Sequence, residues 1–233
     1  MRNKMAKNHI MRLAAPKTWP IKKRGSTFIT KQNPGPHSLE LSMPLNILLK
    51  EVLGIAKNTR EAKKLLSSNE VAVDCRQRRD VRFPVGIFDT LQLSKANEYF
   101  RVSLSKKGKI SLARIKKEES SVKPAKIICK KMIKGKVQLN LYDGKNVLVS
   151  GNSYKVGDTL LVSLPEHKIV KHLKLDKKST IFLIGGKHIG EIGTVEDIIQ
   201  NKIIYTDSQG TLVETSKKYA FVVGDTKPLV TLE

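Results

Sequence analysis

The chain has 233 residues and 26.1 kDa, 39% hydrophobic and 5% aromatic, which gives room for one large domain or two to three small ones. Forty-four lysines and arginines against 21 aspartates and glutamates leave a net charge of +23, a field that repels itself unless a polyanion neutralises it, so nucleic acid is the first partner to test. No stretch approaches the ~20 apolar residues of a membrane span, the N-terminus lacks the apolar core of a signal peptide, and Cys75 and Cys129 stand far apart with no second cysteine near either; a soluble, unexported protein with two reduced thiols, no disulfide framework and no CxxC zinc site is expected.

The charge is concentrated. Residues 1 to 39 hold nine basic and no acidic residues, and 101 to 136 hold 13 and two, whereas 180 to 233 hold five and seven. One sign gathered in two places suits counterion release on a phosphate backbone, where each neutralised phosphate frees condensed cations; the alternative is a disordered basic tail without a defined partner. The first concentration is an arm, 1–42, in which Lys17, Lys22, Lys23, Arg24 and Lys31 alternate with Trp19, Phe28 and four prolines. Each proline removes a donor and fixes φ, so the arm reads as an extended strap. Trp19 is either a stacking platform for an unpaired base or an anchor packed on the protein's own body.

From Pro44 the periodicity becomes helical, with Leu45, Leu48, Leu49, Val52 and Leu53 on one face, until Gly54 breaks it. A second helix starts near Asn58 or Thr59, with Asn58 as cap and Glu61 as capping-box partner. Ala62, Leu65 and Leu66 are its buried stripe, Arg60, Lys63 and Lys64 its wet face, and Asn69 suits the left-handed turn that ends it. A strand at 71–74, a basic turn over 75–80 and a strand through Val81, Phe83 and Val85 follow, then a turn and another strand at 89–93. Arg76, Arg78, Arg79 and Arg82 would join the helix cations as a ridge for an RNA backbone, arginine being suited to bidentate phosphate contact.

The stretch NTREAKKLLSSNEVAVD at 58 to 74, continued by DVRFPVGIFDTLQL at 80 to 93, resembles the RNA-binding module shared by several ribosomal and RNA-modifying proteins. The Phe-Pro-Val-Gly-x-x-Asp continuation narrows this: with the opening KNHIMRLAAPKTWPIKKRGSTFITKQNPGPH at 7 to 37, it is similar to the S4e family of the small ribosomal subunit in archaea and eukaryotes, over essentially the whole chain. The length looks archaeal in type.

After Lys136 the pattern is β, with 137–141 and 147–149 joined at Asp143-Gly144, a hairpin signal. Val156-Gly157-Asp158-Thr159 opens another strand and recurs as Val223-Gly224-Asp225-Thr226, which suggests two related β units. IFLIGGKHIGEIGTVEDI at 181 to 198, with Lys187 at its loop, is similar to the KOW element of ribosomal proteins and transcription elongation factors, in which a glycine-rich turn joins strands of a small barrel. Its glycines permit either close approach of RNA to exposed N–H groups or tight turns alone. They fit neither a P-loop nor a Rossmann loop, since strand and not helix continues from Thr194.

No enzyme can be assembled. The five histidines are scattered without metal spacing, and Asp89, Asp143, Asp158 and Asp225 sit at turns where an aspartate bonds its own backbone. A pseudouridine-synthase-like enzyme would need a catalytic domain that the residues after 93 are too few to build. The expectation is an α+β, multi-domain, non-catalytic protein without cofactor or metal: a basic extension (1–42), a helical-hairpin RNA-binding module (43–106), a central β domain (107–173) and a KOW-type, Src-homology-three-like β-barrel (174–233). It would bind small-subunit ribosomal RNA through Lys17, Lys22, Lys23, Arg24, Arg60, Lys63, Lys64, Arg76, Arg78, Arg79, Arg82, Lys106, Lys107, Lys109 and Lys187 and touch neighbouring small-subunit ribosomal proteins; the outer face of its acidic C-terminal block would meet solvent or another protein. Neither DNA, a membrane nor a second copy of the chain is expected as partner, and the location is the cytoplasmic ribosome. The alternatives are a KOW-containing transcription factor and a non-catalytic RNA-binding subunit of an RNA-modifying system.

Overall fold

A computed structural model describes residues 8–133, 135–151 and 153–232; the expected strap's first seven residues, with Arg2, lie outside them. In chain order, β1 (His9–Met11) pairs with β2 (Phe28–Thr30), and β3 (Ser42–Pro44) leads into α1 (Leu45–Ile47), which runs on as a π-helical turn over Leu48–Val52. Helix α2 is Thr59–Ser67. Strands β4 (Val71–Val73), β5 (Arg76–Gln77), β6 (Pro84–Gly86), β7 (Thr90–Leu93), β8 (Glu98–Leu104) and β9 (Ile110–Arg114) follow. All but β6 form a first sheet, ordered β5-β4-β7-β8-β9. A second sheet is built from β10 (Val122–Ile133), β11 (Lys136–Leu141), β12 (Asn146–Val149), β13 (Thr159–Ser163) and β14 (Ile169–Leu173), ordered β12-β11-β10-β13-β14. The third contains β15 (Thr180–Leu183), β16 (Ile192–Ile199), β17 (Lys202–Asp207), β18 (Leu212–Ser216) and β19 (Ala220–Gly224), ordered β18-β17-β16-β15-β19.

Local chemistry accounts for the clearest elements. The N–H of Glu61 donates to Asn58 Oδ1 at 2.9 Å, and the Glu61 carboxylate reaches back to the Lys57 N–H at 2.7 Å, so the first turn of α2 is closed from both directions. Ala62 and Leu66 are buried, and Asn69 adopts φ 56° at the helix end. The β11–β12 hairpin turns at Asp143-Gly144 as its signal predicts.

Three expectations are corrected. The chain is mostly β with few helices, not α+β, because the first apolar run is helical for only eight residues and the second for nine. The segment through Val81, Phe83 and Val85 does not pair back on 71–74. Its Pro84 faces Pro44 in a two-stranded β3–β6 ribbon, where neither proline has an N–H to give, while β4 pairs with β7 and β5. The repeated Val-Gly-Asp-Thr stretches are not equivalent either. The first leads into β13 with Asp158 buried, taking the N–H groups of Lys155 and Leu175 at 3.1 Å; the second ends β19 with Asp225 exposed.

One apolar core runs from the strap through the helices and the first sheet into the third, and a smaller one fills the second sheet. Trp19 belongs to the former: it is 2% exposed and its Nε1–H donates to the Ser42 carbonyl at 2.7 Å, which settles it as an anchor and leaves no face for a base. Phe88 joins the sheets, its ring 5.7 Å from Phe182 and 5.0 Å from Phe221.

Between the sheets lies a seam of buried charge. Lys123 on β10, 3% exposed, pairs with Asp89, with Asp74 at 3.0 Å and with Asp143 at 3.5 Å, while Lys145 approaches Asp74 at 3.4 Å and Asp143 at 3.3 Å. His37 Nε2 lies 3.0 Å from the Asp89 carboxylate and donates to it when that group is ionised. Although burial opposes ionisation of Asp89 and Asp143, His37 and Lys123 hold the first carboxyl, and Lys123 and Lys145 the second, below the ordinary range. The same aspartates raise Lys123 above the usual lysine value against its own burial. Asp89 also takes the Gly86 N–H at 2.8 Å, and the His37 ring packs so tightly on Gly86 that an added Cβ would lie 2.2 Å from it. Asn33-Pro34-Gly35-Pro36-His37 and Phe83-Pro84-Val85-Gly86 thus meet in space and lock onto Lys123.

Candidate nucleic-acid interface

Among the described residues, four lysines and arginines are buried and belong to the fold. Arg12 organises the strap, donating to the Lys22 carbonyl at 2.8 Å, the Ser26 carbonyl at 3.0 Å and Glu51 at 2.9 Å. Arg101 donates to the Glu119 side chain, to its carbonyl at 2.9 Å and to the Val122 carbonyl at 2.7 Å; Glu119 in turn takes the Thr231 N–H at 2.5 Å, tethering the C-terminal segment. Lys123 fills the seam. Lys126 donates to the carbonyls of Lys217, Lys218 and Ala220 at 2.7 to 3.0 Å, and burial pushes it down to about 8, so it is still mostly charged at neutral pH.

The fifteen expected RNA-binding residues lie elsewhere, and thirteen of them are exposed; Arg78 and Arg82 are half-buried. They fall into two sets. Arg60, Lys63 and Lys64 share one face of α2, opposite Ala62 and Leu66. Arg79 reaches the end of that helix, its Nε–H donating to Asn69 Oδ1 at 3.3 Å. Arg82 is hydrogen-bonded to Asn8 of the strap, and Asn33 donates to Asp80 at 2.6 Å, so the 76–82 loop, the helix and the strap form one basic surface. Lys22, Lys23 and Arg24 stand on the strap loop that Arg12 ties, through Glu51, to the end of the first helical segment. Two ridge members are partly committed to the protein: Arg76 donates to the Pro165 carbonyl at 3.2 Å, and the Arg78 guanidinium lies 4.3 Å over the Phe83 ring.

The second set is assembled by packing that the sequence does not display. Gly190, at φ +81°, lies so close to the β8–β9 turn that a Cβ would come within 2.4 Å of the Ser105 carbonyl oxygen. This brings the loop of Lys187 against the turn of Lys106, Lys107 and Lys109, and the Ile110 N–H donates to the Thr18 carbonyl at 2.8 Å, adding Lys17. Gly185 and Gly193 face the rings of Tyr219 and Tyr205 at close range, so the glycines of this loop are explained by packing within the protein. Arg12 and the seam residues escape sequence reasoning, since their partners are distant in the chain. Lys131 and Lys136, both exposed, escape it too, although they lie in the basic stretch 101–136.

No acid, base and nucleophile converge on these surfaces. They are cationic, a chemistry suited to holding a phosphate backbone. Comparison with known proteins agrees. Residues 96–169 match the model described as ribosomal family S4e, and residues 4–40 match the RS4NT (NUC023) domain. The chain is 40% identical over 239 residues to small ribosomal subunit protein eS4 of Methanosphaera stadtmanae, covering 100% of this chain and 98% of the relative. It is 38% identical over 247 residues to eS4 of Methanococcus aeolicus, covering both chains fully. Among solved structures, the 30S ribosomal protein S4e from Thermoplasma acidophilum superposes with a TM-score of 0.67 at 27% identity, over 80% of this chain and 95% of that one.

Proposed function

We propose that this chain, which belongs to the ribosomal family S4e, serves as a structural constituent of the small ribosomal subunit by laying its two basic surfaces on folded ribosomal RNA. It is not an enzyme, and its place is the cytoplasmic ribosome. The observation that carries the reading is the separation of the charges: among the described residues four lysines and arginines are buried in the fold, while of the fifteen named for RNA thirteen are exposed and Arg78 and Arg82 half-buried, in two sets. On the first, Arg60, Lys63, Lys64, Arg76, Arg78, Arg79 and Arg82, with Lys22, Lys23 and Arg24 of the strap, neutralise phosphates; on the second, Lys17, Lys106, Lys107, Lys109 and Lys187 do so.

The finer organisation follows the same logic. The two short helices and the first sheet as far as β8, within 43–106, act as the helical RNA-binding module, with 1–42 as its strap. Residues 107–173 are a central β unit and 174–233 a KOW-type barrel whose glycine loop delivers Lys187 to the second surface. The C-terminal block, with five basic and seven acidic residues over 180 to 233, has no net positive charge to attract RNA and turns its outer face to solvent or to a neighbouring ribosomal protein.

The test is binding of the full chain to small-subunit ribosomal RNA as salt is raised. With six to ten phosphates engaged, affinity falls ~10³ to 10⁵-fold between about 50 and 200 mM salt. A flat response would refute the proposal, as would sedimentation of the chain with RNA polymerase in place of small subunits.

A further inference from the structure

Strand β10 parts from β13 halfway along its length. Its pairing with β13 ends at Lys126 opposite Thr159; beyond a bulge between Ile127 and Cys129 it is flanked by β11 alone, with β12 on the far side. The outer half of β10, with β11 and β12, makes a three-stranded antiparallel lip whose two faces are fixed by register, since opposed residues share a face and successive residues alternate. Val137 lies opposite Met132 and Val149, and Leu139 opposite Lys130 and Val147; Val137 and Leu139 are buried, so that face is the inner one. The outer face carries Lys131 and Lys136, the amides of Gln138, Asn140 and Asn146, and Leu148, which is 60% exposed.

Two features fit this face to a polyanion. Between Glu119 and Asp158 the one acidic residue is Asp143, and its carboxylate is buried in the seam against Lys123 and Lys145, so the lip has no exposed carboxylate of its own. The charge is also not simply protection of an open edge. Lysine on an edge strand discourages unwanted strand pairing, which would account for Lys131, but the amides of Gln138 and Asn140 stand on β11 between β10 and β12, where there is no edge to protect, and Lys136 continues their face at the β10–β11 turn. Lys131 and Lys136 are diagonal neighbours across the β10–β11 pair, ~7–8 Å apart at their backbones, close enough to grip one run of phosphates. Beside them Gln138 Nε2 donates to Asn140 Oδ1 at 3.0 Å, aligning amides of the kind that bond phosphate oxygens, ribose hydroxyls and base edges.

We propose that the outer face of this lip is a further RNA-binding surface, separate from the two described above, with Lys131 and Lys136 on the phosphate backbone and Gln138, Asn140 and Asn146 on ribose or base groups. It rests on the reading of the chain as an RNA-bound protein and adds a third site to it. In binding of the full chain to small-subunit ribosomal RNA, Lys131→Ala with Lys136→Ala makes the dependence of log affinity on log salt shallower by about one to two, with the unfolding midpoint unchanged. Gln138→Ala with Asn140→Ala weakens binding at every salt concentration and leaves that slope alone. If neither pair alters binding while the parent chain keeps its steep salt response, the lip is not a site and the parent reading stands; a flat response from the parent chain sinks both. A photo-crosslinker on exposed Cys129, in a Cys75→Ser background within reconstituted small subunits, is expected to capture RNA. Capture of a ribosomal protein in its place overturns the inference.

Discussion

At the seam, Lys123 is 3% exposed and ringed by three aspartates; on the ridge, Arg79 is exposed and meets the side-chain oxygen of Asn69 at 3.3 Å. Both are single positive charges in a strongly basic chain, yet only one is on offer to a partner. A buried cation must have its lost hydration replaced, and here aspartates from the turns after β4, before β7 and after β11, together with a histidine from the strap, replace it. An exposed arginine keeps its water until a phosphate displaces it. Net charge therefore overstates what RNA can meet: within 101–136, Arg101, Lys123 and Lys126 are buried and serve the fold.

The sharpest way to break the comparison is to remove the central cation. Lys123→Met leaves Asp74, Asp89 and Asp143 facing one another with only Lys145 and His37 near, and unpairing a buried charge costs about 3–5 kcal/mol. Denaturant unfolding is expected to register that loss, while the folded fraction keeps the parent's salt slope in RNA binding. A variant as stable as the parent would mean that the seam is decoration.

Acid probes the same seam without mutation. Asp89 and Asp143 sit below their ordinary range in the folded chain, so their stabilising contribution is fully present above the unfolded value of ~4 and is lost as pH falls through the folded values. Lys123 is raised, so its share is fully present below the unfolded value of ~10.4 and is lost only as pH rises through the folded one. Stability is expected to hold level across neutral pH as far as these groups decide it, and to fall below about pH 4. In Lys123→Met both aspartates lose the lysine they share and that acid slope should flatten.

The ridge responds in the opposite sense. Replacing Arg60, Lys63, Lys64 and Arg79 with alanine removes four exposed cations; at 0.7 to 0.9 of salt slope per phosphate contact, affinity near 0.15 M salt falls by roughly 200- to 1,000-fold. Each change moves stability by no more than about 0.5 kcal/mol. Filter binding and thermal unfolding on one preparation separate the two effects; loss of stability without loss of affinity would place these residues in the fold.

What could be read from the sequence was what is decided locally. The cap of α2 needs Asn58 and Glu61 three residues apart, Asn69 needs only its own tolerance of positive φ, and the β11–β12 turn needs Asp143-Gly144. The surface cations were legible too, since a helix face follows from spacing. What stayed hidden is set by distance along the chain: the seam gathers residues 37, 74, 89, 123, 143 and 145, and the pairing of β3 with β6 joins 42–44 to 84–86. The weight given to helix failed for a related reason. Leu45 to Leu53 has helical periodicity, but that describes one short segment, whereas three antiparallel sheets are assembled from strands whose partners periodicity cannot name.

Arg78 stands between the two regions and is the finest test of the distinction. It belongs to the ridge by sequence, yet it is half-buried, its guanidinium stacks on Phe83, and its Nε is buried without a hydrogen-bond partner among the described residues. Arg78→Lys keeps the charge and gives up the planar stack, so the expected change is a loss of about 0.5–1 kcal/mol in stability with the salt slope of RNA binding unaltered. Arg79→Lys, on the exposed side of the same loop, should leave stability in place. If the Arg78 variant is as stable as the parent and instead loses slope, the stack on Phe83 yields when RNA arrives, and Arg78 counts with the ridge after all.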